Sequence, residues 1–493
     1  MLQAKSIFRK EINNNPYLFI NLVFAFFPFS FIIGSLVVNF NLLLFCCLGI
    51  FYLKSKILRT KYDFAIKIIF LFFLIVFLSS TLNVVKSQYF DGYDSDLNLV
   101  RFTKSILFFR YFLFLIITYL LNKYDILDYK YFFLTAAFAS ILVSLDIIYQ
   151  YIFGYNIIGL KNPTPSHIET LAAFNIRNSG FFGDEYIAGG YIQRFAFFAI
   201  FSTILLFKNN NYSKFIFPSV IICVLGTGIL FAGNRMPAIM FIFGLLLVFL
   251  FNRKIRKIMF IGLIALLILL KFIISSNEDL KYRFHIFFYN TKTIMYSPVI
   301  KIWSQFTEVD EQSPKIKKFF YDGRTVRLET THERLFLTAI DTWKFNKVFG
   351  NGIKSFREVC HKLREMPDIN MEERVFDVNM SLAPEEVTYF GKKNRLCSNH
   401  PHNYYLEVLT ETGAVGLITI SMIALLFIVF LFKNYKFIKQ ISFQNFILLS
   451  AIISLLLETF PLRSSGSLFT TNNTTYLILI ASIVLSYKKI WKI

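Results

Sequence analysis

Apolar stretches of membrane-spanning length recur about twelve times along this chain, near residues 17–34, 36–53, 64–83, 105–121, 131–152, 191–207, 215–233, 236–251, 258–274, 414–432, 445–461 and 472–487. A helix needs roughly 20 mostly apolar residues to cross the hydrocarbon core of a bilayer. There, helices and closed barrels alone satisfy every backbone polar group. The pattern predicts an all-α polytopic membrane protein of about twelve transmembrane helices. Composition agrees: 55% of the residues are hydrophobic, 62 of them Phe, and the mean hydropathy is +0.54. A water-soluble domain is ordinarily far less apolar.

A formal net charge of +21 would suit a nucleic-acid partner if it formed a patch. It does not. The basic residues sit in short runs between apolar spans, as charges that set membrane orientation do. Placing the N-terminus in the cytoplasm puts Lys54, Lys56, Arg59 and Lys61 inside, together with Lys123 and Lys130, and Lys208 and Lys214. The runs Arg253–Lys257, Lys433–Lys439 and Lys488–Lys492 fall on the same side. The short loops on the other face hold far fewer, which supports this orientation. Lys5, Arg9 and Lys10 precede the first span without a small-residue cleavage site, so it reads as a retained span. Both termini are then cytoplasmic, and a long segment lies outside, which in a diderm bacterium is the periplasm. The expected organisation is nine helices over 1–274, a large extracytoplasmic loop over 275–410 and three helices over 411–493.

Three extracytoplasmic segments follow from that topology. Residues 84–104 are short, polar and uninformative. Residues 153–190 carry Arg177-Asn178-Ser179-Gly180-Phe181-Phe182-Gly183-Asp184-Glu185, where glycines allow tight turns beside charges at the mouth of a span. The third, 275–410, contains an amphipathic helix from Glu333 to Phe345 with Phe349-Gly350-Asn351-Gly352 as its stop.

Arg235 stands between two apolar spans with almost no loop, and an Arg at membrane depth is costly without a partner. It marks a site for an anion, against the simpler reading of interfacial snorkelling. Arg334 lies on the amphipathic loop helix, where a solvated Arg is equally ordinary. His402 begins the helix that re-enters the membrane, which places a titratable imidazole near the membrane surface as either a general base or a structural hydrogen-bonding residue. Cys397, His400 and His402 are close in sequence, but their spacing is not a zinc pattern, and no metal is expected. Cys46, Cys47 and Cys223 lie within apolar spans and read as packing residues. Cys360 and Cys397 either pair, if their segment faces an oxidising compartment, or remain two thiols. Glu407 and Glu411, one helical turn apart, could orient an imidazole or bind sugar hydroxyls, and read more simply as a polar stripe.

His402-Asn403, nine intervening residues, Gly413, two more residues and Gly416 resemble the signature of the O-antigen ligase family, which also includes O-antigen polymerases and bacterial O-oligosaccharyltransferases. The resemblance extends to about twelve spans, a large late periplasmic loop and an Arg in the short loop at Arg235. It implies a GT-C-type glycosyltransferase of the bacterial inner membrane that moves a glycan from undecaprenyl pyrophosphate to an acceptor hydroxyl without a metal or other cofactor. By the same resemblance His402 is the general base, and Arg235 and Arg334 hold the donor pyrophosphate, with Arg177 a further candidate. Asn403, Gly413 and Gly416 complete the motif.

The chemistry is consistent with that assignment. Attack by a sugar hydroxyl on the anomeric carbon needs a base within hydrogen-bond reach. The leaving pyrophosphate needs fixed positive charge, which an Arg fork supplies independently of pH. The expected acceptor is the lipid A core, or a lipid-linked glycan if the chain is a polymerase; transfer to protein is a third possibility. A transporter of lipid-linked sugars would use the same arginines but survive His402→Ala.

Overall fold

The computed structural model describes residues 16–89, 95–161, 177–277, 281, 331–372, 393–438 and 440–486. Much of the expected 275–410 loop, and the basic residues Lys5, Arg9, Lys10, Lys439, Lys488, Lys489 and Lys492, lie outside them.

Each apolar stretch read from the sequence falls on helix. The first is split into α1 (Leu18–Ala25) and α2 (Phe27–Ile33), a departure from the single span expected. Pro28, in the first turn of α2, explains the break: it lacks an amide for the helix ladder, and its ring crowds the preceding turn. There follow α3 (Ser35–Leu53), α4 (Phe64–Tyr89), α5 (Ser95–Lys123), α6 (Tyr129–Phe153), α7 (Ala188–Leu206), α8 (Ser213–Phe231), α9 (Arg235–Phe251) and α10 (Arg256–Ser276). Between α10 and the last three helices the chain contributes α11 (Thr331–Trp343) and two short parallel strands, β1 (Ile369–Glu372) and β2 (Lys393–Leu396). The chain closes with α12 (Tyr404–Ile438), α13 (Phe443–Glu458) and α14 (Thr471–Leu485). Among the described residues eight helices, α3 to α8, α10 and α12, are long and apolar enough to cross a membrane, while α9, α13 and α14 are shorter apolar helices.

Helix α7 is the hub. It packs on α6, α8, α9 and α13, and its phenylalanines Phe195, Phe197, Phe198 and Phe201 are fully buried. Phe24, Phe27, Phe45, Phe114 and Phe132 extend the same aromatic core through α1, α2, α3, α5 and α6. Lipid tails are as apolar as these side chains, so packing rather than water exclusion must hold the helices together. The α8–α10 crossing shows how: Gly226 leaves room for Leu266, and Gly262 receives Ile222, whose Cδ1 is 2.5 Å from where a Cβ would stand. Conversely, α10 and α12 leave most of their spans unburied, with Ile268, Phe272, Leu425 and Phe432 facing outward as lipid-facing residues would.

Candidate active site

The signature residues occupy the start of α12. Asn403 is its cap: the side-chain oxygen accepts from the amides of Tyr405 (3.0 Å) and Leu406 (3.2 Å), two of the donors a helix start leaves unpaired. The amide nitrogen of the same side chain donates to the Pro461 carbonyl at 2.7 Å, so the cap also ties α12 to the α13–α14 connection. His402, one residue earlier, has φ +56°, a left-handed backbone that a histidine adopts at a cost of roughly 1–3 kcal/mol. Its carbonyl accepts the Ser465 amide at 2.9 Å. The imidazole stands among other rings, with centroids 4.2 Å from His400 and 5.7 Å from His332 on α11. The sequence does not reveal the pairing of His332 with His402, because 70 residues separate them along the chain.

Further along, α12 is broken at Gly413, with φ +69° and ψ −167° inside an otherwise helical run. The break exposes backbone groups that the connection after α11 takes up. Asn351 and Gly352 amides donate to the Thr410 and Glu411 carbonyls (3.0 and 2.9 Å), and the Lys347 and Val348 carbonyls accept from Ala414 and Val415 (2.9 and 3.2 Å). Ser79 on α4 adds a hydroxyl to the Glu411 carbonyl, and Asn83 donates to the Gly350 carbonyl. Buried Asn351 also donates to the Thr342 and Thr410 carbonyls and accepts from Asn346. Gly413 is thus where the connection after α11 is stitched to the membrane helices, and Phe349-Gly350-Asn351-Gly352 is a docking loop as well as a helix stop. Gly416, three residues after Gly413 as in the motif, packs against Thr412 just before the break.

Glu407 and Glu411 are buried acceptors, not a solvated stripe. The carboxylate of Glu407 takes the Ser467 hydroxyl and the Leu468 amide, and that of Glu411 takes the Lys354 amide at 2.6 Å. Burying a carboxylate demands such partners, and each pair fixes a loop to α12.

Helix α11 is packed against α12 and β2. Arg334 is buried on it rather than standing on a solvated face. Asp341, about two turns further along the helix, accepts from Lys344 and from Arg395 of β2, each at 2.7 Å. Burial alone would raise the Asp341 carboxyl, but the hydrogen bonds and charges of Lys344 and Arg395 outweigh it and hold the group below its ordinary value. Cys360 and Cys397 are disulfide-bonded with Cα atoms 5.7 Å apart, in a small core with Ala339 and Phe356. This resolves the pairing left open by the sequence, and Cys397 is committed to Cys360 rather than grouped with His400 and His402.

The loop arginines are positioned by side-chain amides. Asn178 donates to the Phe231 carbonyl at the end of α8 (2.7 Å), and Gly180 donates to Gln150 of α6 (2.7 Å). Asn234, at the start of α9, accepts from Gly189 and donates to the Tyr186 carbonyl. These bonds anchor the backbone beside exposed Arg177 and exposed Arg235.

One cluster was missed. Glu458, fully buried at the end of α13, is paired with Arg194 of α7 (2.6 Å) and with Arg463 (2.9 Å), and accepts the Tyr404 hydroxyl at 2.8 Å. A basic residue in one apolar span and an acidic one in another was the available signal, since intramembrane charges pair.

No curated protein matches the chain. Residues 218–421, from within α8 past the break in α12, match the O-antigen ligase family model, and that stretch contains Arg235, Arg334, His402, Gly413 and Gly416. A helical membrane architecture and a histidine cluster at the mouth of α12 accompany this match, and over residues 218–421 the chain is similar to the O-antigen ligase family.

Proposed function

We propose that this protein is an O-antigen ligase-type glycosyltransferase that moves a glycan from undecaprenyl pyrophosphate to a hydroxyl of the lipid A core, at the periplasmic face of the inner membrane. The single observation that carries the reading is the held imidazole of His402. It sits on a strained backbone at the mouth of an apolar helix, capped by Asn403 and beside His332, whose helix also bears buried Arg334.

In the proposed reaction His402 accepts the proton of the acceptor hydroxyl as its oxygen attacks the anomeric carbon. The new C–O bond forms on the face opposite the departing phosphate oxygen, inverting the centre, and undecaprenyl pyrophosphate leaves with the bonding pair. Arg235, Arg177 and Arg334 hold that pyrophosphate, and their fixed charge compensates the negative charge that develops on it. The apolar helices receive the polyprenyl tail. Membrane-spanning segments run over 1–274 and 411–493 in this scheme, with 275–410 as the periplasmic platform for donor and acceptor.

The test is deletion of the gene in its host, complementation with wild type or His402→Ala, and analysis of lipopolysaccharide and polyprenyl-linked glycans. Long glycan left on its carrier with bare core supports ligation. Core capped by a single repeat identifies polymerisation instead. Full complementation by His402→Ala eliminates catalysis by that histidine and favours transport.

A further inference from the structure

The backbone that presents His402 is held from a part of the chain beyond the family match. Four successive residues, 402 to 405, each bond to the end of α13 or to the connection after it. The His402 carbonyl accepts from the Ser465 amide (2.9 Å), and Asn403 donates to the Pro461 carbonyl (2.7 Å). The Tyr404 hydroxyl donates to Glu458 (2.8 Å), and the Tyr405 hydroxyl donates to the Thr459 carbonyl (2.6 Å). Beneath them, Glu458 is gripped by Arg194 through two bonds (2.6 and 3.1 Å) and by Arg463, while Arg194 reaches Asn473 and Arg463 reaches Gln193 and the Leu457 carbonyl. Arg194 also lies over the Tyr476 ring at 4.6 Å.

Such an arrangement is more than helix packing needs. A buried ion pair is weak evidence for stability, because desolvation offsets most of its attraction. What it does supply is a fixed geometry: two guanidinium groups on different elements leave the Glu458 carboxylate a single orientation. A left-handed histidine, in turn, persists where its surroundings over-determine it.

We infer that Glu458, with Tyr404 and Tyr405, forms a clamp that sets the aim of His402, so that these are positioning residues for transfer. The inference rests on His402 being the base. Removing one hydroxyl at a time leaves the ion cluster and the aromatic packing in place, so Tyr404→Phe and Tyr405→Phe, singly and together, are the informative variants. Glu458→Gln, which strands two buried arginines, serves as the severe case.

The purified full-length protein in liposomes would be assayed with polyprenyl-linked glycan extracted from the deletion strain as donor and that strain's core lipopolysaccharide as acceptor. The double Tyr→Phe variant is expected to lose at least tenfold in kcat, with donor KM within twofold and an unchanged thermal midpoint. Wild-type kcat in a folded double variant overturns the clamp, as does a loss carried entirely by KM. His402→Ala is assayed alongside. If it is inactive while the double variant is normal, the clamp alone fails; if it is active, the assignment of the base fails.

Discussion

Gly350 and Gly413 each occupy the space a side chain on the other would need. A Cβ on Gly350 would stand 2.5 Å from the Gly413 nitrogen, and one on Gly413 would stand 2.6 Å from the Gly350 nitrogen. Both have positive φ, +72° and +69°. Backbone meets backbone here because the break in α12 and the loop after α11 exchange four main-chain hydrogen bonds.

Gly413→Ala and Gly350→Ala are therefore expected to cost on the order of 3 kcal/mol each, from left-handed strain and from displaced backbone together. Limited proteolysis should cut the 347–352 connection faster in either variant than in the wild type. Equal cleavage rates would show that the junction tolerates a methyl group.

Three histidines share the mouth of α12, and the proposed mechanism assigns only one of them to the proton. His402→Ala should lower transfer by about 100-fold to 10,000-fold, the range for a lost general base. His400→Ala and His332→Ala should each stay within about tenfold of the wild type, as second-ring contacts. A larger loss at His332 than at His402 would reassign the base to α11.

The carboxyl of Asp341 is depressed by Lys344 and Arg395 despite its burial. A depressed folded-state value means that its contribution is fully present above the ordinary carboxylate range, near 4, and is lost as pH falls through the folded-state value. The thermal midpoint should thus fall more steeply below pH 4 in the wild type than in Asp341→Asn, which lacks the titrating group. Parallel curves for the two proteins would contradict this.

The Cys360–Cys397 bond closes a loop with a sequence separation of 37. A crosslink of that span stabilises by about 2–4 kcal/mol. Reduction, or Cys360→Ser, should loosen the contact of α11 with β2 and lower the thermal midpoint. Maleimide labelling of both cysteines in the unreduced, denatured protein would show that the bond does not form.

How far the sequence was readable differs from one residue to the next. The helices were legible because each must be apolar over its whole length to stand in lipid, so composition alone marks them. The stretch 17–34 broke at Pro28, a signal that was present in the sequence, and α9, α13 and α14, read as spans, are shorter apolar helices. Amphipathic α11 was legible from its period, shifted by two residues from Glu333–Phe345 to Thr331–Trp343. Arg334 was identified as a candidate, but its burial was not, since one helix face looks alike whether it meets water or protein.

By itself, then, the sequence determined a helical membrane protein, the approximate positions of its apolar helices and a histidine–glycine motif that resembles that of the O-antigen ligase family. Those are local properties, written in runs of neighbouring residues. The tertiary structure decided what the motif is for: Asn403 as a cap and tether, Gly413 as the joint for a distant loop, Glu407 and Glu411 as buried acceptors, and Glu458 beneath Tyr404. Each of those roles depends on a partner far away in the chain, and pairings of that kind leave no periodicity in the sequence to read.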